Sequence, residues 1–414
     1  MSWVCAGDAA LPSPHLIVLT NLFPHAGAPG AGQFIRTRMF RVARELPITV
    51  VVPVPWFPGQ GLIRRFKPNF RPPAPRAEVQ DGISVLLPRF FSVPGLFRGL
   101  DSLFIALACR GLVQRLKREH PDSLIDAHFA YPCGHAAVLL GRWFGLPTTI
   151  TMRGTEVSLA VDPARRRRIV EALNGATRVF AVSDSLRRHA GALGADMNKV
   201  RVVGNGVDLD RFFPEDRASA RARLGIPADA PVLVTVGGLV ERKGFHRVIE
   251  LLPRLRERHP GLRYLAVGGP SPEGDIGARL KQQAQDLGLA EAVIFTGPLP
   301  AAELRWPLSA ADVFVLSTSN EGWANVFLEA MACGLPVVAT DVGGNAEVVP
   351  RPELGTIVPF GDAEALFGAL DRALSQAWDR EAIRAYAASN TWDSRVAVLV
   401  DEFRRLSKAG AAHA

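Results

Sequence analysis

Apolar, β-branched runs alternate with helix-patterned stretches along this chain, and about halfway along the alternation starts again. In the first half the strand candidates are residues 15–20, 48–53, 83–87, 124–128, 148–152, 178–182 and 200–203. Helical patterning falls between them at 33–45, 100–118, 134–144 and 163–174. The second half repeats the scheme with strands at 232–236, 263–267, 292–295, 313–316 and 337–340. Uninterrupted apolar strands separated by helices imply parallel sheets covered on both faces. The restart predicts an α/β chain of two Rossmann-like αβα domains, 1–210 and 211–390. The boundary is expected within 208–217, where Phe212-Phe213-Pro214 leaves the pattern. A last helix within 391–414 is expected to cross back to the first domain, and 54–80, rich in Pro, Arg and Gly, reads as a long excursion from it. Such sheets bind ligands at the carboxyl ends of their strands, so the two are expected to face one interdomain cleft.

With 414 residues and 48% hydrophobic content, the chain can bury two cores and is not a disordered protein. Cys5, Cys109, Cys133 and Cys333 form no CxxC pair and read as reduced thiols of a cytosolic protein. His128, Cys133 and His135 lack a clear fourth partner for a metal. No secretory signal and no apolar run of membrane-spanning length is evident. Charge is uneven: residues 1–210 carry 26 Lys+Arg against 15 Asp+Glu, and the remainder 22 against 25. A basic first half points to an anionic surface or substrate. Its densest run, Arg165 to Arg168, is either a solvated helix face or, with the apolar stretch Phe90 to Phe97, a contact for an anionic membrane. Aromatic residues are not interleaved with the basic ones, which argues against nucleic acid as a partner.

The segment from Glu321 to Thr340 carries the most chemical information. A strand ends just before it and a helix is expected to open near Asn325. A helix N-terminus behind a parallel strand is an anion site, because free N–H groups and the helix dipole point at the ligand. Glu321 in the loop and Glu329 inside the helix cannot serve the anion. They suit hydroxyl-rich groups on either side of it, which is the layout of a sugar nucleotide.

This segment resembles the donor motif of retaining GT-B glycosyltransferases, specifically glycosyltransferase family 4. That motif is a Glu, seven residues and a second Glu, followed by Ala-Met-Ala-Cys-Gly-x-Pro-Val-Val, which Glu321, Glu329 and the residues after them match. The stretch from Val236 to Gly244 resembles the family's basic phosphate loop. Asn205-Gly206-Val207-Asp208 resembles its segment near the domain boundary. Asp126-Ala127-His128-Phe129 and Thr151-Met152-Arg153-Gly154-Thr155-Glu156 resemble its acceptor-side loops. The matches run through most of the chain in the family's order.

The resemblance implies a sugar transfer from a nucleotide donor, a UDP- or GDP-sugar, with retention of anomeric configuration. Glu321 would contact the sugar hydroxyls and Glu329 the ribose, since a carboxylate accepts from two hydroxyls well. Arg242 and Lys243 would neutralise the departing diphosphate, with Gly238 letting the backbone approach it. Many relatives carry Arg at the position of Gly238, and Arg242 is the residue able to replace it. Backbone N–H groups of Asn325, Val326 and Phe327 would touch phosphate and sugar, and backbone near Leu299 the base. His128 at a strand end would bond the sugar or orient the acceptor, and it can titrate near neutrality. Arg153 and Glu156 would serve acceptor or donor polar groups. Gly30 and Gly32 resemble the family's Gly-rich first loop. The GxGxxG reading there fails because Ile35 takes the third glycine position, which argues against a nicotinamide oxidoreductase. Asp208-Leu209-Asp210 reads as a turn rather than a metal-binding DxD, and neither cofactor nor metal is expected. The acceptor implied is a lipid-linked glycan of bacterial envelope or exopolysaccharide synthesis, with the enzyme peripheral to the inner face of the cytoplasmic membrane. A non-catalytic envelope scaffold of the same fold is the remaining alternative.

Overall fold

The computed structural model describes residues 13–67, 70–96, 99–271 and 273–411. Cys5 and Phe97, named above, lie outside them. Ten strands fall in the first half: β1 (Leu16–Leu19), β2 (Ile48–Val51), β3 (Val54–Trp56), β4 (Ala77–Gln80), β5 (Ile83–Leu86), β6 (Arg89–Phe91), β7 (Leu124–His128), β8 (Thr148–Met152), β9 (Arg178–Ala181) and β10 (Val200–Val202). Six follow: β11 (Val232–Val236), β12 (Arg263–Val267), β13 (Val293–Gly297), β14 (Val313–Leu316), β15 (Val337–Thr340) and β16 (Gly355–Val358). The chain divides into two compact units. One holds residues 13–182, 186–203 and 396–411; the other holds 183–185 and 204–395.

The first unit is built on a sheet of order β10-β9-β8-β7-β1-β2-β5-β4. Its strands are parallel except β4, which runs antiparallel to β5. An all-parallel sheet is therefore not what forms. The sequence Ala77-Glu78-Val79-Gln80 is too polar for an interior strand, and as an edge strand it stays half exposed. The excursion 54–80 also has structure of its own, since β3 pairs with β6 in a separate ribbon. Side-chain alternation sorts the core. Leu16 and Val18 of β1 face Ile35, Met39 and Val42, while Ile17 and Leu19 face the cluster of Cys109, Val113, Ala136 and Ile169.

The last helix, Trp392–Ala411, lays Val396, Leu399, Val400 and Phe403 onto the first of these faces, at one-face helical spacing. Phe403 meets Phe180 edge-on at 6.0 Å. Buried Glu402 anchors the helix: Arg178 Nε donates to it at 2.7 Å and Arg201 Nη1 at 3.0 Å.

The second unit has the order β13-β12-β11-β14-β15-β16, all parallel. The sequence pattern missed β16, a short edge strand that opens on glycine and is only half buried. Val232, Val234, Phe314 and Leu316 face Phe327, Met331 and Ile383. Leu233, Val313 and Val315 face Phe245, Val248, Leu252 and Leu370. In both units strand order reverses beside the first strand of the set, between β1 and β7 and between β11 and β14. Connections diverge there, and loops at the carboxyl ends leave a crevice.

Glu402→Ala leaves two arginines without their buried counter-ion. It is expected to destabilise the first unit by about 1–3 kcal/mol, read as a lower denaturant midpoint with faster amide exchange along Trp392–Ala411.

Candidate active site

In the second unit, β11 runs out into Gly237-Gly238, a turn at Glu241–Lys243 and the helix Phe245–Arg258. Beside it β14 runs out through Ser317 and Thr318 to the helix Asn325–Ala332. Gly244 lets the two exits touch. Its φ is 75°, and a Cβ there would stand 1.9 Å from the Ser317 carbonyl oxygen. Ser319 N–H donates to Arg242 O at 2.9 Å, closing the same seam. On this support Lys243 Nζ donates to Glu321 Oε1 at 2.5 Å and Arg242 Nη1 to the same oxygen at 3.0 Å. Thr318 Oγ1 is 3.3 Å from that oxygen. The stem of Lys243 lies against Gly237. The Glu321 side chain is 10% exposed, so these pairs form at low local dielectric.

Arg242 has a second carboxylate that sequence reasoning missed. Its Nε and Nη2 donate to the two oxygens of Glu273 at 2.8 and 2.6 Å, and Nη1 also donates to Asn320 O at 2.9 Å. Glu273 comes from the turn after β12. That turn also fills the space at Gly238, where a Cβ would stand 2.9 Å from Ser271 Cβ. An arginine at 238 would collide with Ser271 unless the turn shifted.

The helix N-terminus offers less than expected. Asn325 N–H donates to Trp323 O and Phe327 N–H to Ala324 O, which leaves Val326 N–H as the member of that trio without a partner among the described residues. The Phe327 side chain is buried against Phe314. Asn325 Oδ1 accepts from Asn205 Nδ2 at 2.8 Å, tying the Asn-Gly-Val-Asp segment to this helix. Asp208 Oδ1 accepts from Asp210 N–H, an Asx turn. Glu329, one turn on, is partly exposed, and its carboxylate has no hydrogen-bond partner among the described residues. Burial pushes it up to about 7, against the pull of Arg211 and Lys243. The Leu299 side chain lines a cavity of about 300 Å³ with Thr296, Trp306 and Arg223, while the backbone just before it abuts the strand exits, with Gly297 O accepting from Gly268 N–H at 3.1 Å.

In the first unit, His128 closes β7 and is fully buried. Its Nδ1 accepts from Arg153, at 3.3 Å from Nε and 3.2 Å from Nη2, so the ring proton sits on Nε2. Nε2 has no hydrogen-bond partner among the described residues and lies 3.7 Å from Asp126 Oδ2. Burial, then Arg153 and Arg38, hold His128 well below its ordinary range. The expectation that it titrates near neutrality is corrected: it is a neutral donor. Glu156 is corrected too. Its oxygens accept from backbone N–H groups of Ala130 (2.9 Å), Arg153 (3.2 Å) and Gly154 (2.8 Å), so it clamps loops and has little capacity left for a ligand. The clamp holds Phe129 at φ 70°, a strained value for a non-glycine residue directly after His128. Arg153 stacks over Phe34 at 5.0 Å. Arg38, 1% exposed, was not anticipated. Its Nη1 has no partner among the described residues, and burial lowers it to about 10 while Asp126 opposes. Gly32, at φ 60°, starts the helix Gln33–Val42 with its α-carbon packed against the Leu22 carbonyl, and Gly30 is open.

Comparison with known proteins gives the family and the fold. The profile described as "Glycosyl transferases group 1" matches residues 216–390, and "Glycosyltransferase Family 4" matches 66–211. TuaC of Bacillus subtilis, assigned as a glycosyltransferase of teichuronic acid biosynthesis, is 30% identical over 364 residues, 86% of this chain and 88% of its own. The chain belongs to the group 1 glycosyltransferases. The GDP-mannose-dependent alpha-(1-6)-phosphatidylinositol monomannoside mannosyltransferase of Mycolicibacterium smegmatis is 35% identical over 290 residues, 68% of this chain and 74% of its own. Sucrose-phosphate synthase from Thermosynechococcus elongatus shares the fold, with a TM-score of 0.76 at 23% identity over 96% of this chain and 100% of its own. The fold of this glycosyltransferase is GT-B.

Of the residues expected from the sequence, Arg242, Lys243 and Glu321 of the glycosyltransferase meet directly, and His128 meets Arg153. Glu273 left no signal, because it is an ordinary loop Glu whose partner is set by how β12 sits beside β11. Arg38 is spaced with Ile35, Met39 and Val42, so its position on the buried face was readable, but an arginine there looks like a surface residue at the edge of the stripe.

The raised Glu329 carboxyl has a stability consequence. Between its ordinary value and about 7 the folded state holds more proton than the unfolded chain, so stability falls as pH rises through that window. Glu329→Gln removes the ionisation. The variant is expected to gain about 1–3 kcal/mol on wild type between pH 5 and pH 8, allowing for partial exposure, measured as the difference in Tm across pH.

Proposed function

We propose that this glycosyltransferase moves a sugar from a UDP- or GDP-sugar to a hydroxyl of a lipid-linked glycan, with retention, in envelope or exopolysaccharide synthesis. The observation that carries the donor site is the meeting of Lys243, Arg242 and Glu321 at the strand-order reversal of the second unit, with Lys243 also acting electrostatically on Glu329, which has no hydrogen-bond partner among the described residues. The two cations neutralise Glu321. A bound diphosphate takes over Lys243, freeing Glu321 for sugar hydroxyls, while Glu329 accepts from the ribose. Val326 N–H and the helix dipole add to the anion site.

In the reaction the bond from the anomeric carbon to the phosphate oxygen breaks, and a bond to the acceptor oxygen forms on the same face. The acceptor proton passes to the departing phosphate oxygen. Charge develops on that phosphate, and Lys243 is fixed to meet it. His128, neutral and carrying its proton on Nε2, donates a hydrogen bond and is not the base. Lys243 and the helix N-terminus supply the charge a metal would bring, so none is required. Cell-envelope acceptors are supported by the relatives, one assigned to teichuronic acid synthesis and one to a phosphatidylinositol mannoside.

UDP-, GDP- and ADP-sugars are to be screened by thermal shift, and one of them is expected to raise Tm selectively. Lys243→Ala is expected to lower kcat about 10²–10³-fold with the fold intact, with EDTA leaving the wild-type rate unchanged. No shift with any nucleotide and full turnover in Lys243→Ala would overturn the donor-site assignment.

Contact with an anionic membrane is part of the same reading. No helix among the described residues is long and apolar enough to cross a membrane. The first unit nevertheless exposes Leu62 (61%) and Phe66 (82%) beside exposed Arg65 and Lys67. It also carries Arg165 to Arg168 on the helix Pro163–Gly175, where Arg167 and Arg168 pair with Glu171. Charge reversal at Arg165–Arg168 is expected to cut cosedimentation with anionic vesicles more than about tenfold. Unchanged cosedimentation would make that run a solvated face.

A further inference from the structure

The guanidinium of Arg242 is committed to protein groups rather than held open for an anion. Arg presents five N–H donors in a rigid fork. Two adjacent ones go to the two oxygens of Glu273 at 2.8 and 2.6 Å, and Nη1 serves Asn320 O and Glu321. Glu273 sits on a tight turn in which Ser271 and Gly274 exchange backbone hydrogen bonds at 2.9 and 3.0 Å, and its own N–H lies 3.2 Å from Ser271 Oγ. Ser271 packs on Gly238, so the turn takes the space of a side chain at that position. The Glu273 side chain is 52% exposed, so nothing in the core needs it there.

We propose that Glu273 is a counter-charge that keeps Arg242 on the carboxylate side of the donor site and so limits how tightly a nucleoside diphosphate is held. This rests on the donor-site reading above. Two cations and two carboxylates make the cluster neutral before any ligand arrives. Of the cluster's two cations, Lys243 is then the one left to meet the diphosphate, and the product is released without breaking from Arg242 as well. Removing the charge of Glu273 leaves the cluster one unit positive and frees the two N–H groups of the fork. Arg242 then becomes a phosphate ligand, and release of the product slows. Glu273 is thus a positioning residue that sets product affinity.

The test is calorimetric titration of UDP, GDP and ADP into the full chain and its Glu273→Gln and Glu273→Asp variants, alongside steady-state kinetics. Glu273→Gln is expected to bind the preferred nucleoside diphosphate about three- to tenfold more tightly, by an amount that shrinks at high salt. Donor KM and kcat are expected to fall together. Glu273→Asp keeps the charge and is expected to stay within about twofold of wild type. A wild type that binds one nucleotide while Glu273→Gln binds it equally or more weakly overturns the role of Glu273 alone. So does a Glu273→Asp that binds as tightly as Glu273→Gln. A wild type that binds none of the three overturns the donor-site reading, and this inference with it.

Discussion

The contact of Lys243 and Arg242 with one oxygen of Glu321 is the constraint on which the proposed donor site depends. It joins the loop after β11 to the loop after β14, two strands made neighbours by the reversal of strand order. Either loop alone would be a run of solvated charges. Gly244 makes the meeting possible by putting an α-carbon where no side chain fits, against the Ser317 carbonyl. Once the loops touch, a carboxylate that is only 10% exposed needs compensation, and the two cations supply it. The sheet topology thus places charges, and the charges hold the two loops together.

The first unit solves a different problem at its own reversal point. Arg38, Asp126 and His128 are almost wholly buried beside Arg153 and Glu156. Thr149 Oγ1 donates to Asp126 at 2.6 Å, yet burial still lifts that carboxyl to about 6. The imidazole is left neutral, with one nitrogen accepting from Arg153 and the other carrying a proton. Such a ring is a poor base and a well-oriented donor. Glu156 spends its lone pairs on three backbone N–H groups and fixes the strained Phe129, so His128 is held from both sides of the loop that follows it.

How much was legible in the sequence follows from where each interaction is encoded. The strands that run apolar from end to end, such as β1 and β14, were readable because burial on both faces leaves no other pattern. Two of the edge strands were not: β4 is polar and β16 opens on glycine, so neither carries that signature. Lys243, Glu321 and Glu329 were readable because they stand at fixed offsets from a strand exit and a helix start. Glu273 and Arg38 were not, because their partners are fixed by the register of neighbouring strands and by helix packing. Glu156 misled for the same reason. A glutamate beside an arginine reads as a ligand, and only the backbone geometry of Ala130, Arg153 and Gly154 shows its oxygens already taken.

Glu321 and Glu329 stand on one loop-helix segment, and the structure separates them by environment. Glu321 meets two cations within 3.0 Å. Glu329 meets none at that range, and desolvation carries it up to about 7. A hydroxyl pair hydrogen-bonds best to an ionised carboxylate, which has four lone-pair sites to offer. On the proposed donor reading, occupancy at Glu329 is therefore coupled to loss of a proton, whereas occupancy at Glu321 is coupled to a change of partner. Donor binding through Glu329 should weaken as pH falls below about 7, most visibly with an intact sugar nucleotide, whose diphosphate lacks the terminal group that titrates near pH 6. One motif thus holds two carboxylates with different conditions for engagement, and the difference comes from what surrounds them rather than from their spacing.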